Sequence, residues 1–224
     1  MGIIYNPYRC NPLNAQKINK MTGNGTQTPS EETQSPQPLL KKTAPIRQVL
    51  QAVSDKVPMV AVMTAFDEVG KLNFSTEIVF AFQQLGKNAL LINAIDTHIS
   101  TERIDQADML IIDCPAGSNP ITTDVADHAN IVVVTLSASG ALEACAELLA
   151  SLHQNTHYHK PFEMVVSHAA DPLKGEAVFD ALEKAIAPFK IPINQLCLLC
   201  ENSAISTLRE TFHQVAEFID HRLF

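Results

Sequence analysis

From Met59 onwards, short apolar runs alternate with longer stretches that have helical periodicity. The apolar runs predict strands at residues 59–64, 89–93, 109–113, 131–136, 162–167 and 195–199. The stretches between or after them predict helices near residues 71–85, 121–127, 139–153, 173–187 and 203–222. Strands that are apolar along their whole length and separated by helices indicate a parallel sheet with both faces covered. The alternation therefore predicts a three-layer α/β domain, with a mostly parallel sheet and helices on both faces.

Residues 1–42 differ from the rest of the chain. The stretch from Met21 to Pro38 consists mostly of Thr, Gln, Ser, Pro and Gly, and it cannot bury enough apolar surface to offset the entropy lost on ordering. Residues 5–21 contain tyrosines and a short predicted helix. We therefore predict a flexible extension over 1–42 with a short partner-binding segment, followed by a domain over 43–224. The alternative is a terminal segment without a function.

Two further helices have one apolar face each. Residues 45–54 are predicted as an amphipathic helix at the edge of the domain, with Pro45 in its first turn. Its apolar positions have the spacing i, i+3, i+4 and i+7, and are Ile46, Val49, Leu50 and Val53. The last helix has an apolar face formed by Phe212, Val215, Ala216, Ile219 and Leu223. Because its polar face lacks a Lys/Arg stripe, we expect it to pack on the sheet rather than on a membrane.

The composition excludes several classes of function. A net charge of −8, with no basic run longer than Lys41-Lys42, argues against direct nucleic-acid binding, because neutralising phosphates requires clustered Lys and Arg. No apolar stretch approaches the roughly 20 residues that span a membrane, and the N-terminus lacks a signal-peptide core. We therefore expect a cytoplasmic protein, which only a partner would bring to a membrane-associated complex.

The cysteines and histidines do not predict a metal site. The five cysteines are scattered, and an odd number of this kind fits reduced thiols better than disulfides. Cys197 and Cys200 have CxxC spacing, but they lie in a predicted strand that would point them to opposite faces. The histidines at 153, 157 and 159 are interpreted as exposed loop residues. His168, which is followed by Asp171, is interpreted as structural, and Cys114 as a small apolar residue.

A Gly-Lys pair lies between the first apolar strand and the first long helix. Gly70-Lys71 follows the strand at 59–64, and the strand at 109–113 ends in Asp113. A strand, a Gly-Lys turn, a helix and a later strand ending in an acid are the layout of a P-loop nucleotide site. Gly70, Lys71 and Asp113 are therefore the candidate cofactor-binding residues, which would hold ATP or ADP.

The chain resembles the ParA/MinD family of deviant P-loop ATPases over about residues 57–222. The resemblance includes the Leu85-Gly86-Lys87 turn, the segment from Leu90 to Ile95, and the segment from Ile111 to Gly117. The resemblance implies the fold of a P-loop ATPase. It also implies that Asn202 to Ile205 lie in the loop near the nucleotide base.

Most of the family's phosphate-binding residues are nevertheless replaced. When the chain is aligned on Gly70-Lys71, the family's signature lysine falls on Phe66, its two glycines on Asp67 and Glu68, and its magnesium threonine on Leu72. Two carboxylates in a partly desolvated phosphate pocket are costly, because like charges repel. Phosphoryl transfer depends on positioned positive charge, so we predict no catalytic residues and no cofactor. Lys71 would then be a remnant or pair with Asp67, Glu68 or Asp113.

The second strand and the segment after it also differ from the family's pattern. Asn93 and Ile95 lie where the family has an acidic pair, one member of which positions the attacking water. Only residues 96–108 separate this strand from the strand ending in Asp113, whereas the family usually has many tens of residues there. The fold is therefore predicted to be shortened in the region that senses the γ-phosphate, and to lack the family's nucleotide-dependent switch.

These departures predict a bacterial pseudo-ATPase that acts as a protein-binding scaffold or as a spatial or assembly regulator. The resemblance implies work in cell division, flagellar placement, DNA partition, or secretion or polysaccharide-export machinery. The predicted binding surfaces are the N-terminal segment and the face around the altered loop. A homodimer is compatible with the sequence. The family's ATP-sandwich dimer is not, because Phe66 replaces the lysine that contacts phosphate across that interface.

Two enzymatic alternatives are kept. One is a weak or divergent ATPase that uses Lys71 and Asp113. The other is a relative of the polysaccharide-export tyrosine kinases. The tyrosine content argues against this alternative, because the chain has only three tyrosines and no C-terminal tyrosine cluster. Nucleotide binding that depends on magnesium would distinguish the enzyme from the scaffold.

Overall fold

The structure is a computed structural model, and it describes residues 43–53, 56–66, 69–96, 99–140 and 142–224. The predictions for residues 1–42 lie outside the described residues. The strands are β1 (Thr43–Ala44), β2 (Met59–Thr64), β3 (Ala89–Asn93), β4 (Ile99–Ser100), β5 (Met109–Asp113), β6 (Ile131–Ser137), β7 (Phe162–Ala169) and β8 (Ile193–Cys200). The α-helices are α1 (Ile46–Val53), α2 (Val69–Gln84), α3 (Thr101–Ile104), α4 (Pro120–His128), α5 (Leu142–Asn155), α6 (Pro172–Ile186) and α7 (Ile205–Leu223).

Six of the strands form one parallel sheet in the order β3-β5-β2-β6-β7-β8. The central strands β2, β5 and β6 are buried at every residue. A strand that is buried on both faces must be apolar throughout, which is why these runs could be located in the sequence without alternation. The predicted parallel α/β sheet is confirmed.

Helices cover both faces of this sheet. The apolar sides of α2 and α7 pack on one face, and those of α1, α4, α5 and α6 pack on the other. Burial of apolar area is the main favourable term in folding, so each amphipathic helix is held by its packing on the sheet. The three-layer prediction is confirmed, and the apolar side of α7 lies in the core as expected.

The predicted amphipathic helix before the first strand is also confirmed. In α1 the four predicted apolar residues are all buried, and Arg47 on its exposed side pairs with Asp124 of α4. A second sheet of two antiparallel strands, β1 and β4, was not predicted. Each of these strands has two residues, which is too short for an apolar pattern to be recognised.

Several element boundaries differ from the predictions. The last strand extends over residues 193–200 rather than 195–199, and the third long helix covers 142–155 rather than 139–153. The short helix α3 and a 3-10 helix at Ala187–Phe189 were not predicted. Within the described residues, no helix is both long enough and apolar enough to cross a membrane.

Candidate functional site

The carboxyl ends of β2, β3 and β5 meet at one edge of the sheet. Asp113, the last residue of β5, lies in register with Val62 of β2 on one side and with Asn93 of β3 on the other. In parallel α/β sheets, ligands bind in the crevice beyond the carboxyl ends of the strands. We call this edge, with the loops that follow the strands, the carboxyl edge. It is where a nucleotide would bind in a P-loop protein.

Asp113 is held inside the domain by a side chain of the first long helix. The Ser75 hydroxyl donates a hydrogen bond to Asp113 Oδ1 over 3.1 Å, and both residues are buried, with Asp113 at 7% exposure. A buried carboxylate must be hydrogen-bonded, because its desolvation otherwise costs several kcal/mol. Ser75 lies one helical turn beyond Leu72, the position of the family's magnesium ligand. The carboxylate therefore has a structural partner inside the fold.

The chain turns sharply after β3. Asn93 Oδ1 accepts a hydrogen bond from the Ile95 backbone N–H over 3.2 Å, and the Asn93 carbonyl accepts one from the Asp96 N–H over 3.0 Å. This is the local turn that Asn side chains favour. The turn leaves the Ile95 side chain 58% exposed. Neither residue offers a carboxylate to position a water.

A second exposed apolar side chain follows β2. Phe66 is 44% exposed, directly before the loop that would contact phosphate. The loop after β5 is joined to this strand by a 2.8 Å hydrogen bond from the Gly117 N–H to the Thr64 carbonyl. Gly117 has φ 73°, in the left-handed region that glycine adopts without strain. The backbones of the two loops at this edge are therefore held together by a hydrogen bond.

The predicted cofactor-binding residues lie at this edge. The backbones of Gly70 and Lys71 form part of the first turn of α2, directly after the loop that follows β2. Asp67 and Glu68 lie outside the described residues, and the position of the Lys71 side chain is not described. The structure thus brings the start of α2 and Asp113 to the same edge. The predicted pairing of Lys71 with one of the carboxylates stays a prediction.

Two more exposed apolar side chains lie farther along the same edge. Leu173 is in the first turn of α6, which follows β7, and Ile205 begins α7, which follows β8. Four of the eight large apolar side chains exposed in the described residues therefore lie at the carboxyl edge. Contiguous apolar patches mark surfaces that bind other proteins, whereas single exposed apolar side chains are common on any protein. Sequence reasoning selected Phe66 and Ile95 by alignment but missed Leu173 and Ile205, because helix periodicity does not show which residues lie at a strand end.

The absence of a metal site stays a prediction, and two of the side chains considered as ligands have the following surroundings. No group of three His, Cys, Asp or Glu side chains in the described parts of the chain could hold a metal ion. His157 instead contacts Asp127, which also accepts a hydrogen bond from the His157 backbone N–H. In the CxxC segment, burial raises the pKa of the Cys197 thiol to about 12. The thiolate is the reactive form, so the raised pKa disfavours reaction of Cys197 at neutral pH.

His168 and Asp171 have structural roles at the end of β7. His168 has φ 55° and lies where the register between β7 and β8 shifts, so it is the extra residue of a bulge. Its Nδ1 lies 3.2 Å from the Ser167 hydroxyl. Asp171 caps α6 by accepting a hydrogen bond from the Lys174 N–H over 2.9 Å. The Asp171 carboxylate is therefore used by the fold.

Comparison with known proteins finds similarity in structure alone. No protein-family model and no curated protein sequence matches the chain. MinD from Aquifex aeolicus superposes with a TM-score of 0.55 at 10% identity, over 74% of this chain and 98% of that one, and a MinC:MinD complex from the same organism also matches. MinD from Pyrococcus horikoshii in complex with Mg-ADP superposes with a TM-score of 0.50 at 11% identity, over 73% of this chain and 96% of that one. The pNOB8 ParA bound to nonspecific DNA superposes with a TM-score of 0.57 at 9% identity, over 74% of this chain and 98% of that one.

These matches cover nearly the whole length of the solved proteins, so the similarity concerns the complete domain and not one motif. They include the six-stranded sheet and the helices on both of its faces. The chain has the fold of the ParA/MinD family of P-loop ATPases.

Proposed function

We propose that this chain is a pseudo-ATPase whose carboxyl edge binds another protein instead of a nucleotide. In this proposal it serves as a scaffold or as a spatial or assembly regulator within a larger bacterial assembly. Its first 42 residues provide a second binding segment. The protein is cytoplasmic, and a partner recruits it to any membrane-associated complex.

The observation that carries this proposal is the chemical character of the carboxyl edge. Phe66 lies at the position of the signature lysine, and Ile95 at a position of the acidic pair, and both side chains are largely exposed. Exposing a large apolar side chain to water is unfavourable, and a protein partner would bury it. A polyphosphate would gain nothing from either group, because it needs positive charge and backbone N–H donors.

The residues around the loop do not fit Mg-ATP. Leu72 offers no oxygen to magnesium, Asp67 and Glu68 add negative charge, and Asp113 already accepts a hydrogen bond from Ser75. The solved Pyrococcus horikoshii MinD is in complex with Mg-ADP, so nucleotide binding is the expected property of an intact edge. No step of phosphoryl transfer follows from the residues present in this chain.

A protein partner fits the charge of the chain better than DNA does. The solved ParA is bound to nonspecific DNA, whereas this chain has a net charge of −8. DNA binding requires the neutralisation of several phosphates by Lys and Arg. The Aquifex aeolicus MinD is also seen in a complex with another protein, MinC. Protein binding is therefore the function of this fold that an edge with exposed apolar side chains, on an acidic chain, supports.

Site-specific photo-crosslinking in the native cell tests this function. A photoreactive phenylalanine analogue would replace Phe66 in one strain and Phe80 in a control strain. Phe80 is 50% exposed on α2, away from the carboxyl edge. We expect a discrete crosslinked protein from position 66 and none from position 80. The absence of a crosslink at 66, or the same products at both positions, would contradict the proposal.

The main alternative is a weak ATPase, and one observation favours it. Asp113 ends β5 at the position of the family's magnesium-linked acid, next to the start of α2. In this alternative Lys71 contacts the phosphates. Nucleotide binding that depends on both magnesium and Lys71 would support it.

A further inference from the structure

A buried carboxylate at the amino end of β7 has one oxygen without a hydrogen-bond partner in the described residues. Glu163 is 1% exposed. Its Oε1 accepts one hydrogen bond from the Asn194 side-chain amide over 3.1 Å and another from Arg222. Its Oε2 is closed to solvent, and no described residue donates to it. Leaving a buried acceptor without a donor costs stability, so this oxygen is suited to a donor from outside the chain.

The Glu163 side chain lies on the face of the sheet that α7 covers. Alternate residues of a strand point to the same face, and Val165, two residues further along β7, packs in the core with Val215 of α7. Asn194, in β8, lies in register with Glu163. Arg222 belongs to the last turn of α7. The carboxylate is therefore held between the amino ends of β7 and β8 and the end of α7.

A groove between β8 and α7 leads to this carboxylate. It has a volume of about 560 Å³, and Glu163 is among the residues that line it. Small-molecule sites have volumes of roughly 300–1,000 Å³. Because Glu163 is almost completely buried whereas the Arg222 side chain is 35% exposed, the carboxylate lies at the floor of the groove and the guanidinium at its rim. The groove thus combines room for a small molecule with a polar floor.

The charges and hydrogen-bonding groups of the groove define the ligand that it would take. Glu163 and Arg222 have opposite charges in direct contact, so together they attract neither a cation nor an anion strongly. The Glu163 Oε2 needs an N–H or O–H donor. Apolar groups of the wall include Leu196, Val215 and Phe218, and Phe218 is 41% exposed. An uncharged aromatic ring with an N–H donor fits this groove, because the ring buries apolar surface and the N–H supplies the missing donor.

The rim of the groove has side chains that can adjust to a ligand. Because Oε2 is closed to solvent, a ligand reaches it only when a rim side chain moves. Arg222 has five N–H donors, so its guanidinium can rotate and still donate to Oε1. The Phe218 ring centroid lies 5.3 Å from the Arg222 Cζ, so the ring and the guanidinium are neighbours at the rim. The amides of Gln195 and Gln214 line the same groove and can bind polar substituents of a ligand.

We infer that the groove between β8 and α7 binds a small uncharged aromatic molecule whose ring N–H donates to Glu163 Oε2 while the ring packs on Phe218. This site goes beyond the proposed function, because it lies at the amino ends of β7 and β8, opposite the carboxyl edge. It needs neither a nucleotide nor the partner of that edge. The crosslinking result at position 66 is therefore independent of it.

Nuclear magnetic resonance of the isotope-labelled full chain tests this site, with indole and N-methylindole as the two probes. Indole has one ring N–H donor, which N-methylindole lacks. We expect millimolar indole to shift the backbone amide signals of Leu196 and Phe218, and to leave the signal of Ile95 at the carboxyl edge unchanged. We expect N-methylindole to bind about tenfold more weakly, because it cannot donate to the Glu163 carboxylate.

Glu163→Gln tests the hydrogen bond itself. Asn194 and Arg222 both donate to the Oε1 position, so the glutamine carbonyl takes that place and its NH2 group takes the place of Oε2. The variant keeps the shape and both contacts, but it presents a donor instead of an acceptor to the ligand. We therefore expect indole and N-methylindole to bind it with equal, weakened affinity. A steric preference between the two probes would persist in this variant, whereas a preference due to the hydrogen bond is lost.

Phe218→Ala and Phe80→Ala are a matched pair of controls that do not alter the buried carboxylate. Phe218 lines the groove, whereas Phe80 is 50% exposed on α2 and does not line it. We expect Phe218→Ala to weaken the binding of both probes severalfold, and Phe80→Ala to weaken neither. The inference would be overturned by an absence of indole-induced shifts at Leu196 and Phe218, or by equal affinities of the two probes for the native chain. A preference for indole that persists in Glu163→Gln, or unchanged binding in Phe218→Ala, would also overturn it.

Discussion

The interior of the sheet and its carboxyl edge differ in which residues they bury. Every residue of β2 and β5 is buried, and large apolar side chains there contact helices on both faces. In the loops that follow β2 and β3, Phe66 and Ile95 are largely exposed although they are as apolar as the core. The apolar residues of the interior are therefore buried in the folded domain, whereas these two apolar side chains at the edge remain exposed to solvent. The proposed partner surface rests on this difference.

The largest expected effect compares two phenylalanines. Phe82 is fully buried in α2, and its replacement by Ala should destabilise the domain by about 3–5 kcal/mol, because it leaves a cavity. Phe66→Ala should change stability by about 0.5 kcal/mol or less, because the side chain is exposed. Urea unfolding measures both. A loss above about 2 kcal/mol for Phe66→Ala would show that this residue belongs to the core.

The next effect concerns a buried charge far from the carboxyl edge. Glu163 is 1% exposed, and its Oε1 accepts hydrogen bonds from Arg222 and from Asn194. Arg222→Ala would leave the carboxylate with one partner, and should cost about 2–4 kcal/mol. Arg47→Ala, which breaks the exposed pair with Asp124, should cost less than about 1 kcal/mol. Equal losses of stability in the two variants, measured by urea unfolding, would contradict this assignment.

A smaller effect tests whether the Asp113 carboxylate has a structural role in the interior or belongs to a nucleotide-binding site. Ser75→Ala removes a buried hydrogen bond to the carboxylate, and should lower stability by about 1–3 kcal/mol. Ser75→Thr keeps the hydroxyl and serves as the control. Thermal unfolding without nucleotide provides the measurement. If Ser75→Ala unfolds at the same temperature as the native chain, Asp113 does not depend on this contact.

The smallest effect is a difference in the rate at which one thiol is modified in the folded and in the unfolded chain. Burial raises the pKa of Cys197 to about 12, so its reactive thiolate is scarce at pH 8 and increases only as the pH approaches 12. We expect iodoacetamide to modify Cys197 in the folded chain far more slowly than in urea. Mass spectrometry of the peptide that contains Cys197 measures this. Rapid modification at pH 8 would show that the end of β8 opens.

The interior was predictable from the sequence because burial on both faces produces uninterrupted apolar runs. The bounds of β2, β3 and β5 agree with the predictions at both ends. The contact of Ser75 with Asp113 was not predictable, because helix periodicity does not show which strand lies beneath a given hydroxyl. The bulge at His168 was missed for a similar reason, since it depends on the register between two strands.

The candidate site was predictable only in part. The alignment on Gly70-Lys71 identified Phe66 and Ile95 as replacements of charged residues, and the structure shows that both are exposed. Leu173 and Ile205 join them only because the parallel topology places every carboxyl strand end at one edge. Sequence patterns describe each element separately, whereas this surface is assembled from four of them.

Thermal unfolding with millimolar Mg-ATP or Mg-ADP tests most directly the proposal that the carboxyl edge does not bind nucleotide. A ligand at 100 times its dissociation constant would stabilise the fold by about 2.7 kcal/mol, which shifts the midpoint visibly. We expect no shift with either nucleotide. A magnesium-dependent shift that Lys71→Ala abolishes would contradict the claim and favour the weak ATPase.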